Sequence, residues 1–209
     1  MPSEHPSPRP FTVLFVCTGN VCRSALAEQL GRAYLDDTLG AEAATVRLLS
    51  AGTQAVAGAG MHPDTGLVLR GLGGDPAGFR AQQLHGELAA EADLVLVMTR
   101  RHRDAVLGLE PRALTRTFLL REAAGLVGGR DPGEVGSGGA VDQLRAWVAA
   151  MAAARGRRAT RRADDIPDPI GRSIEVHQEV GEQISGALVP VLARIAELVA
   201  TEAVGASGA

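Results

Sequence analysis

The run Thr12-Val13-Leu14-Phe15-Val16 passes directly into Cys17-Thr18-Gly19-Asn20-Val21-Cys22-Arg23-Ser24, and from there into apolar residues at helical spacing. A short uninterrupted apolar run is the form of a strand buried on both faces of a parallel sheet. Ser24, Ala25, Leu26, Ala27, Leu30, Tyr34 and Leu35 then continue as a helix. Strand, tight loop and helix in that order are half of a βαβ unit, which commits the chain to an α/β layer architecture.

The alternation continues downstream. Residues 46–49 read as a second strand closed by Ser50-Ala51-Gly52, and residues 63–72 as a helix with proline near its start. Residues 93–99 are the clearest central strand, followed by a charged helix at 100–107, and 114–118 supply a weaker fourth strand. The expected fold is three-layer α/β/α, with a central four-stranded parallel sheet and a phosphate-binding loop after strand 1. Residues 128–165 differ in composition: they are rich in Gly and Ala, predict a helix at 141–154, and end in the basic run 155–162. They read as an insertion in a single domain over 11–200, with a disordered lead at 1–10 and a frayed end at 201–209. A last amphipathic helix, 174–200, places Val176, Val180, Ile184, Leu188, Leu192, Ile195 and Val199 on one stripe facing the sheet, and Pro190 is expected to kink it.

The octapeptide carries the chemistry. A loop entering a helix N-terminus turns successive backbone N–H groups into one concavity, where they and the helix dipole favour a bound anion. Arg23 adds a planar fork that can hold two phosphate oxygens. The same positive field favours a thiolate at Cys17, so nucleophile and anion cradle are one structure. Gly19 permits close backbone approach or positive φ, and Asn20 tolerates a left-handed conformation. Ser24 can cap the helix or donate to the Cys17 sulfur. Phosphate transfer also needs a proton for the departing oxygen, and Asp168-Pro169, in a loop stiffened by two prolines, is the candidate source. Asp131-Pro132 is its rival, and Asp164 and Asp165 are expected to be solvated.

Composition narrows the alternatives. A net charge of −3 over 209 residues argues against general attraction to nucleic acid or an anionic membrane. Met1 to Pro10 holds four prolines and no apolar stretch of signal-peptide type, which points to the cytoplasm. His5, His62, His85, His102 and His177 are scattered, and with only two cysteines no ligand spacing completes a zinc site, so neither metal nor cofactor is expected. The arginines at 155, 157, 158, 161 and 162 read as a solvated helix end, with a docking patch for an acidic substrate as the alternative.

The octapeptide, Ser50-Ala51-Gly52-Thr53 and Asp168-Pro169 resemble the low-molecular-weight protein-tyrosine phosphatases over residues 11–127 and 163–200. The resemblance implies that Cys17 attacks phosphorus, Arg23 binds phosphate and the transition state, and Asp168 protonates the leaving group and then activates water. It assigns loop support to Asn20, Ser24 and Ser50, phosphate contacts to the loop residues Thr18, Gly19, Asn20, Val21 and Cys22, and a protective disulfide partner to Cys22. It implies a phosphorylated protein or small phosphomonoester as substrate, and no metal.

The chain departs from that pattern in several places. Ile170 and Gly171 follow Asp-Pro where tyrosine phosphatases usually carry aromatic residues, Val56 or a neighbour stands at the opposite wall, and Phe79 takes the place of a histidine that often buttresses the loop. Residues 168–176 look like those of the bacterial protein-arginine phosphatases, which have threonine where this loop has Val21. Arsenate reductases share the loop, but this chain lacks their two downstream cysteines and would need an external thiol. A noncatalytic phosphate-binding module is the non-enzyme alternative; the presence of nucleophile, arginine and acid together favours the enzyme.

Overall fold

A computed structural model of the chain describes residues 9–128, 138–157 and 162–206. The elements are β1 (Phe11–Cys17), α1 (Arg23–Leu39), β2 (Val46–Gly52), α2 (Pro63–Gly71), α3 (Gly86–Glu91), β3 (Leu94–Val97), α4 (Arg100–Leu109), β4 (Thr117–Leu119), α5 (Leu120–Ala124), α6 (Ala140–Ala154) and α7 (Ile174–Ala206). The four strands form one parallel sheet in the order β2-β1-β3-β4, so the fold is the expected three-layer α/β/α. The chain leaves β1 toward β2 and later returns to its other side with β3, which opens a crevice at the carboxyl end of β1 where α/β sheets bind ligands.

All seven residues of β1 are buried, as a doubly covered strand requires. Phe11, Val13, Phe15 and Cys17 face one core layer with α1, α5, α6 and α7. Leu14 and Val16 face a second layer with Leu84, Ala89, Val106 and Leu119, which is covered by α3 and α4. With so few rings in the chain, the aliphatic stripe of α7 is a large part of the first layer: Val180, Ile184, Leu188, Leu192, Ile195 and Val199 are all nearly fully buried, while Val176 is half-buried. By length and composition alone α7 could also span a membrane, but in the fold this stripe is packed on the core.

Several expectations are corrected. The second strand runs on to Gly52, and the fourth begins only at Thr117 because 111–116 wind into a 3-10 helix. The last helix includes Pro190 and continues past 200 to Ala206; residues 207–209 and 1–8 lie outside the described residues. The segment read as an insertion packs into the domain where it is described, since Leu144, Trp147, Val148 and Met151 of α6 lie in the main core. Arg155 at its end is not solvated: its guanidinium sits 4.1 Å over the Phe118 ring and 3.1 Å from the buried carboxylate of Glu122. Burial accordingly pushes the Arg155 pKa down from its ordinary value. The side chains of the other arginines of that run, 157, 158, 161 and 162, lie outside the described residues.

Candidate active site

The octapeptide connects β1 to α1 as expected, and its shape is held by side chains inside the loop. Asn20 is fully buried at φ 54°, the left-handed region that asparagine tolerates. Its amide nitrogen donates to Ser24 Oγ at 2.9 Å and Ser50 Oγ at 2.7 Å, and its Oδ1 accepts from the Gln82 backbone N–H at 2.8 Å. Ser50 passes its own hydrogen to Glu28 Oε2 at 2.6 Å. Because Ser24 Oγ accepts from Asn20, its hydrogen is left to point at Cys17 Sγ, 2.9 Å away. Ser24 therefore serves the sulfur and does not cap α1, whose N-cap is Cys22 with no side-chain cap bond.

Outside the loop, the turn after β2 runs alongside it. Thr53, Gln54 and Val56 donate backbone N–H bonds to the carbonyls of Cys17, Thr18 and Gly19 at 2.9, 2.9 and 3.1 Å. This is the structural use of Ser50-Ala51-Gly52-Thr53: a Cβ on Gly52 would stand 2.5 Å from the Thr18 carbonyl oxygen, so only glycine lets the two backbones approach. Gly19 needs no such freedom, since a Cβ there would meet nothing nearer than Val21 Cγ2 at 3.5 Å. Val21 packs toward Phe79, Ala25 and Ala81. Phe79 thus supports the loop through apolar packing, and the polar bracing comes from Gln82.

Arg23 is 3% exposed and reaches under the acid loop. It donates to the Ile166 carbonyl at 3.1 Å, to Thr18 Oγ1 at 3.4 Å and to the Asp168 carboxylate. Its Nε is buried without a hydrogen-bond partner among the described residues, a donor still available to an oxyanion. Asp168 is half-exposed beside it, while Asp131 lies outside the described residues. Asp164 and Asp165 are not solvated as expected. Asp164 is buried, and Asp165 accepts from the Arg100 backbone N–H at 2.8 Å and pairs with the Arg100 guanidinium at 3.2 Å. Ile166, fully buried, donates its N–H to the Met98 carbonyl at the end of β3. Asp168 is therefore carried by a loop clamped on the sheet and on Arg23.

His102 was not singled out by the sequence, although Thr99-x-x-His102 at a helix start has capping spacing. It is 5% exposed, and its Nε2 lies 3.0 Å from Thr18 Oγ1 and its Nδ1 3.0 Å from Thr99 Oγ1. Burial, with the Arg23 charge second, pushes its pKa down to about 4, so it is neutral at pH 7. Thr18 Oγ1, which also accepts from Arg23, and Thr99 Oγ1, which also accepts from the His102 backbone N–H, hold the two ring nitrogens from either side. The remaining histidines are not all scattered: His62 and His177 stack with ring centroids 4.8 Å apart, next to Cys22. Cys17 and Cys22 are both free thiols, and burial pushes Cys22 up to about 11.

Residues 12–131 match the low molecular weight phosphotyrosine protein phosphatase family. The chain belongs to that family. A probable low molecular weight protein-tyrosine-phosphatase, EpsP, of Ralstonia nicotianae is 36% identical over 111 residues, which cover 53% of this chain and 71% of that protein. A protein-arginine-phosphatase of Geobacillus stearothermophilus is 29% identical over 193 residues, 92% of this chain and 99% of that protein. Among solved structures, the YwlE arginine phosphatase of G. stearothermophilus superposes with a TM-score of 0.62 at 28% identity, covering 94% and 97% of the two chains. The Erwinia amylovora tyrosine phosphatase AmsI gives 0.61 at 22% identity, covering 89% and 93%, a likeness of fold.

Proposed function

We propose that this phosphatase works through a phosphocysteine intermediate, with Cys17 as nucleophile, Arg23 and the loop N–H groups as anion cradle, and Asp168 as proton carrier. In the first step the Cys17 thiolate attacks phosphorus and the P–O ester bond breaks, while the Asp168 carboxyl gives its proton to the leaving oxygen. In the second, water attacks phosphorus and passes a proton to the Asp168 carboxylate. The P–S bond then breaks, releasing inorganic phosphate and the thiolate. A reduced Cys17 fits a cytoplasmic setting. The observation that carries this reading is the convergence at Arg23: one buried guanidinium touches the nucleophile's neighbour Thr18 and the acid Asp168, with Nε left to bind an oxyanion.

The substrate we favour is an aryl phosphate ester such as phosphotyrosine. Val21, where arginine phosphatases carry threonine, supports the oxygen ester. Val56, beside Gly19, and Ile170, beside Asp168, are both exposed, so the rim offers apolar contact without a ring to stack on. A second reading, phosphoarginine, draws on the likeness to an arginine phosphatase over nearly the whole chain, including the region of Asp168-Pro169-Ile170-Gly171. Phosphate release from an aryl phosphate, phosphotyrosine, phosphoserine and phosphoarginine tests both. Cys17→Ser is expected to abolish turnover, and Asp168→Asn to lower kcat roughly 10²–10⁴-fold with folding unchanged. Turnover retained by Cys17→Ser refutes the mechanism, and a preference for phosphoarginine replaces the first substrate with the second.

A further inference from the structure

We infer that Cys22, His62 and His177, beside the catalytic loop, form a binding site for one borderline-soft metal ion, zinc(II) being the type case. The loop end, the residue preceding α2 and the first turn of α7 each supply one donor atom, and the three atoms lie within 4.8 Å of one another. Nothing in the sequence spacing announces this, because the ligands are 40 and 115 residues apart. Cys22 and His177 are 3% and 2% exposed, which sets them apart from a surface cluster that meets by chance.

Two further observations point to a ligand. His62 Nδ1 and His177 Nε2 are both buried without a hydrogen bond of ordinary geometry among the described residues, although the His177 ring also feels the Pro169 carbonyl, and two such imidazole nitrogens in one place call for an explanation. Thr65 Oγ1 lies 2.9 Å from His177 Nδ1, the kind of outer contact that orients a metal-binding histidine. Asp64, with its carboxylate 4.0 Å from His62 Nδ1, adds negative charge at the rim.

One thiolate and two imidazoles are the donor set of zinc or copper(I), not of magnesium or calcium. Zinc bonds of about 2.0–2.3 Å place tetrahedral donors about 3.3–3.6 Å apart, so capture must draw these three together by about 1 Å. The rings are stacked at 15° without the ion, so one of them also has to turn. His62 is free to do so, with 30% of its side chain exposed, whereas His177 is held by Thr65. On binding, the Cys22 S–H proton passes to solvent and the sulfur lone pair forms the metal bond, with no change of oxidation state. The fourth position is left to water or an anion.

The site is mechanically joined to the loop. Cys22 lies between Val21 and Arg23, and the His62 backbone N–H donates to the Val21 carbonyl at 2.8 Å. Pulling Cys22 and His62 together shifts the loop that presents Arg23, so zinc should inhibit reversibly. This consequence rests on the phosphatase reading, while the binding itself does not.

The test is zinc titration by calorimetry and cobalt(II) absorption on Cys17→Ser protein, which removes the other thiol. One zinc per chain and a sulfur-to-cobalt charge-transfer band are expected. Replacing Cys22 by Ser as well should abolish the band, and His62→Gln or His177→Gln should weaken zinc binding at least about tenfold. In otherwise wild-type protein, His62→Gln should leave metal-free turnover unchanged and raise the inhibitory zinc concentration by a similar factor. The inference is overturned by loss of the band in Cys17→Ser alone, or by unchanged zinc affinity in His62→Gln, which is partly exposed and so tolerates the change if His177→Gln does not fold. Absence of turnover with binding intact would count against the phosphatase reading only.

Discussion

Gly52→Ala is the change most revealing of how the catalytic loop is held. The added Cβ would stand 2.5 Å from the Thr18 carbonyl oxygen, 2.9 Å from the Asn20 nitrogen and 3.0 Å from Ala55 Cα. All three are backbone atoms, so no rotamer change relieves the contact. Ordinary contacts begin near 3.5 Å, so Thr18 must retreat by about 1 Å. Thr18 follows the nucleophile, and its carbonyl accepts the Gln54 N–H that ties the loop to the turn after β2. A misplacement of about 1 Å at reacting groups costs on the order of 10²-fold in rate. Overpacking of this kind costs about 1–3 kcal/mol in stability, or roughly 2–4 °C in Tm per kcal/mol at this chain length. Gly19→Ala is the paired control. It lies within the loop but meets only Val21 Cγ2 at 3.5 Å and Val56 Cγ2 at 4.0 Å, so stability should move by less than about 0.5 kcal/mol. The assay is kcat/KM for an aryl phosphate beside thermal unfolding of both variants. Wild-type activity in Gly52→Ala, or collapse of Gly19→Ala with Gly52→Ala intact, refutes the account of close approach.

Two further outcomes follow from burial. His102 has its pKa pushed to about 4 from the ordinary 6.5, so between those values the unfolded chain binds a proton that the folded chain refuses. Folding stability should therefore fall as pH drops from 6.5 to 4, by about 3 kcal/mol for this group. Urea midpoints across that range should fall more steeply in wild type than in His102→Asn, and parallel curves would contradict the assignment. Trp147 on α6 is 3% exposed within the main core, so Trp147→Ala should cost about 3–5 kcal/mol by urea unfolding. A cost below about 1 kcal/mol would contradict the placement of α6 in the core.

The parts legible in the sequence are those determined by neighbouring residues. The seven buried residues of β1 announce a central strand because a doubly covered strand has no polar face to alternate with. The loop announces itself because cysteine, arginine and asparagine each have one strong conformational or chemical use there. Short helices escaped for the opposite reason: α3 and α5 have six and five residues, too few for a periodic stripe. The sequence left Ser24 with two uses, helix cap or donor to the sulfur, because its partners Cys17 and Asn20 are brought to it by the curled loop rather than by linear spacing. Asp165 and Arg155 looked solvated because charge alone predicts exposure, whereas their partners Arg100 and Glu122 come from 65 and 33 residues away. The grouping of Cys22, His62 and His177 is of the same non-local kind.

The placement of Asp168 depends on that non-local layer. A proton carrier must be near the ester oxygen yet able to move, and Asp168 is half-exposed on a loop that would have little reason to stay beside Arg23 by itself. Ile166, two residues earlier, resolves the conflict with its backbone alone: its N–H is bound by Met98 at the end of β3 and its carbonyl by Arg23. Asp165 adds an anchor on α4 through Arg100, and Arg121 of α5 holds the Ala163 carbonyl at 2.7 Å. The acid is thus fixed at its root through the Ile166 backbone and held at its carboxylate by Arg23, the same guanidinium proposed to bind phosphate. Under the proposed mechanism, any shift of Arg23 onto a substrate phosphate would also loosen Asp168 toward the leaving oxygen, since Arg23 is what holds that carboxylate.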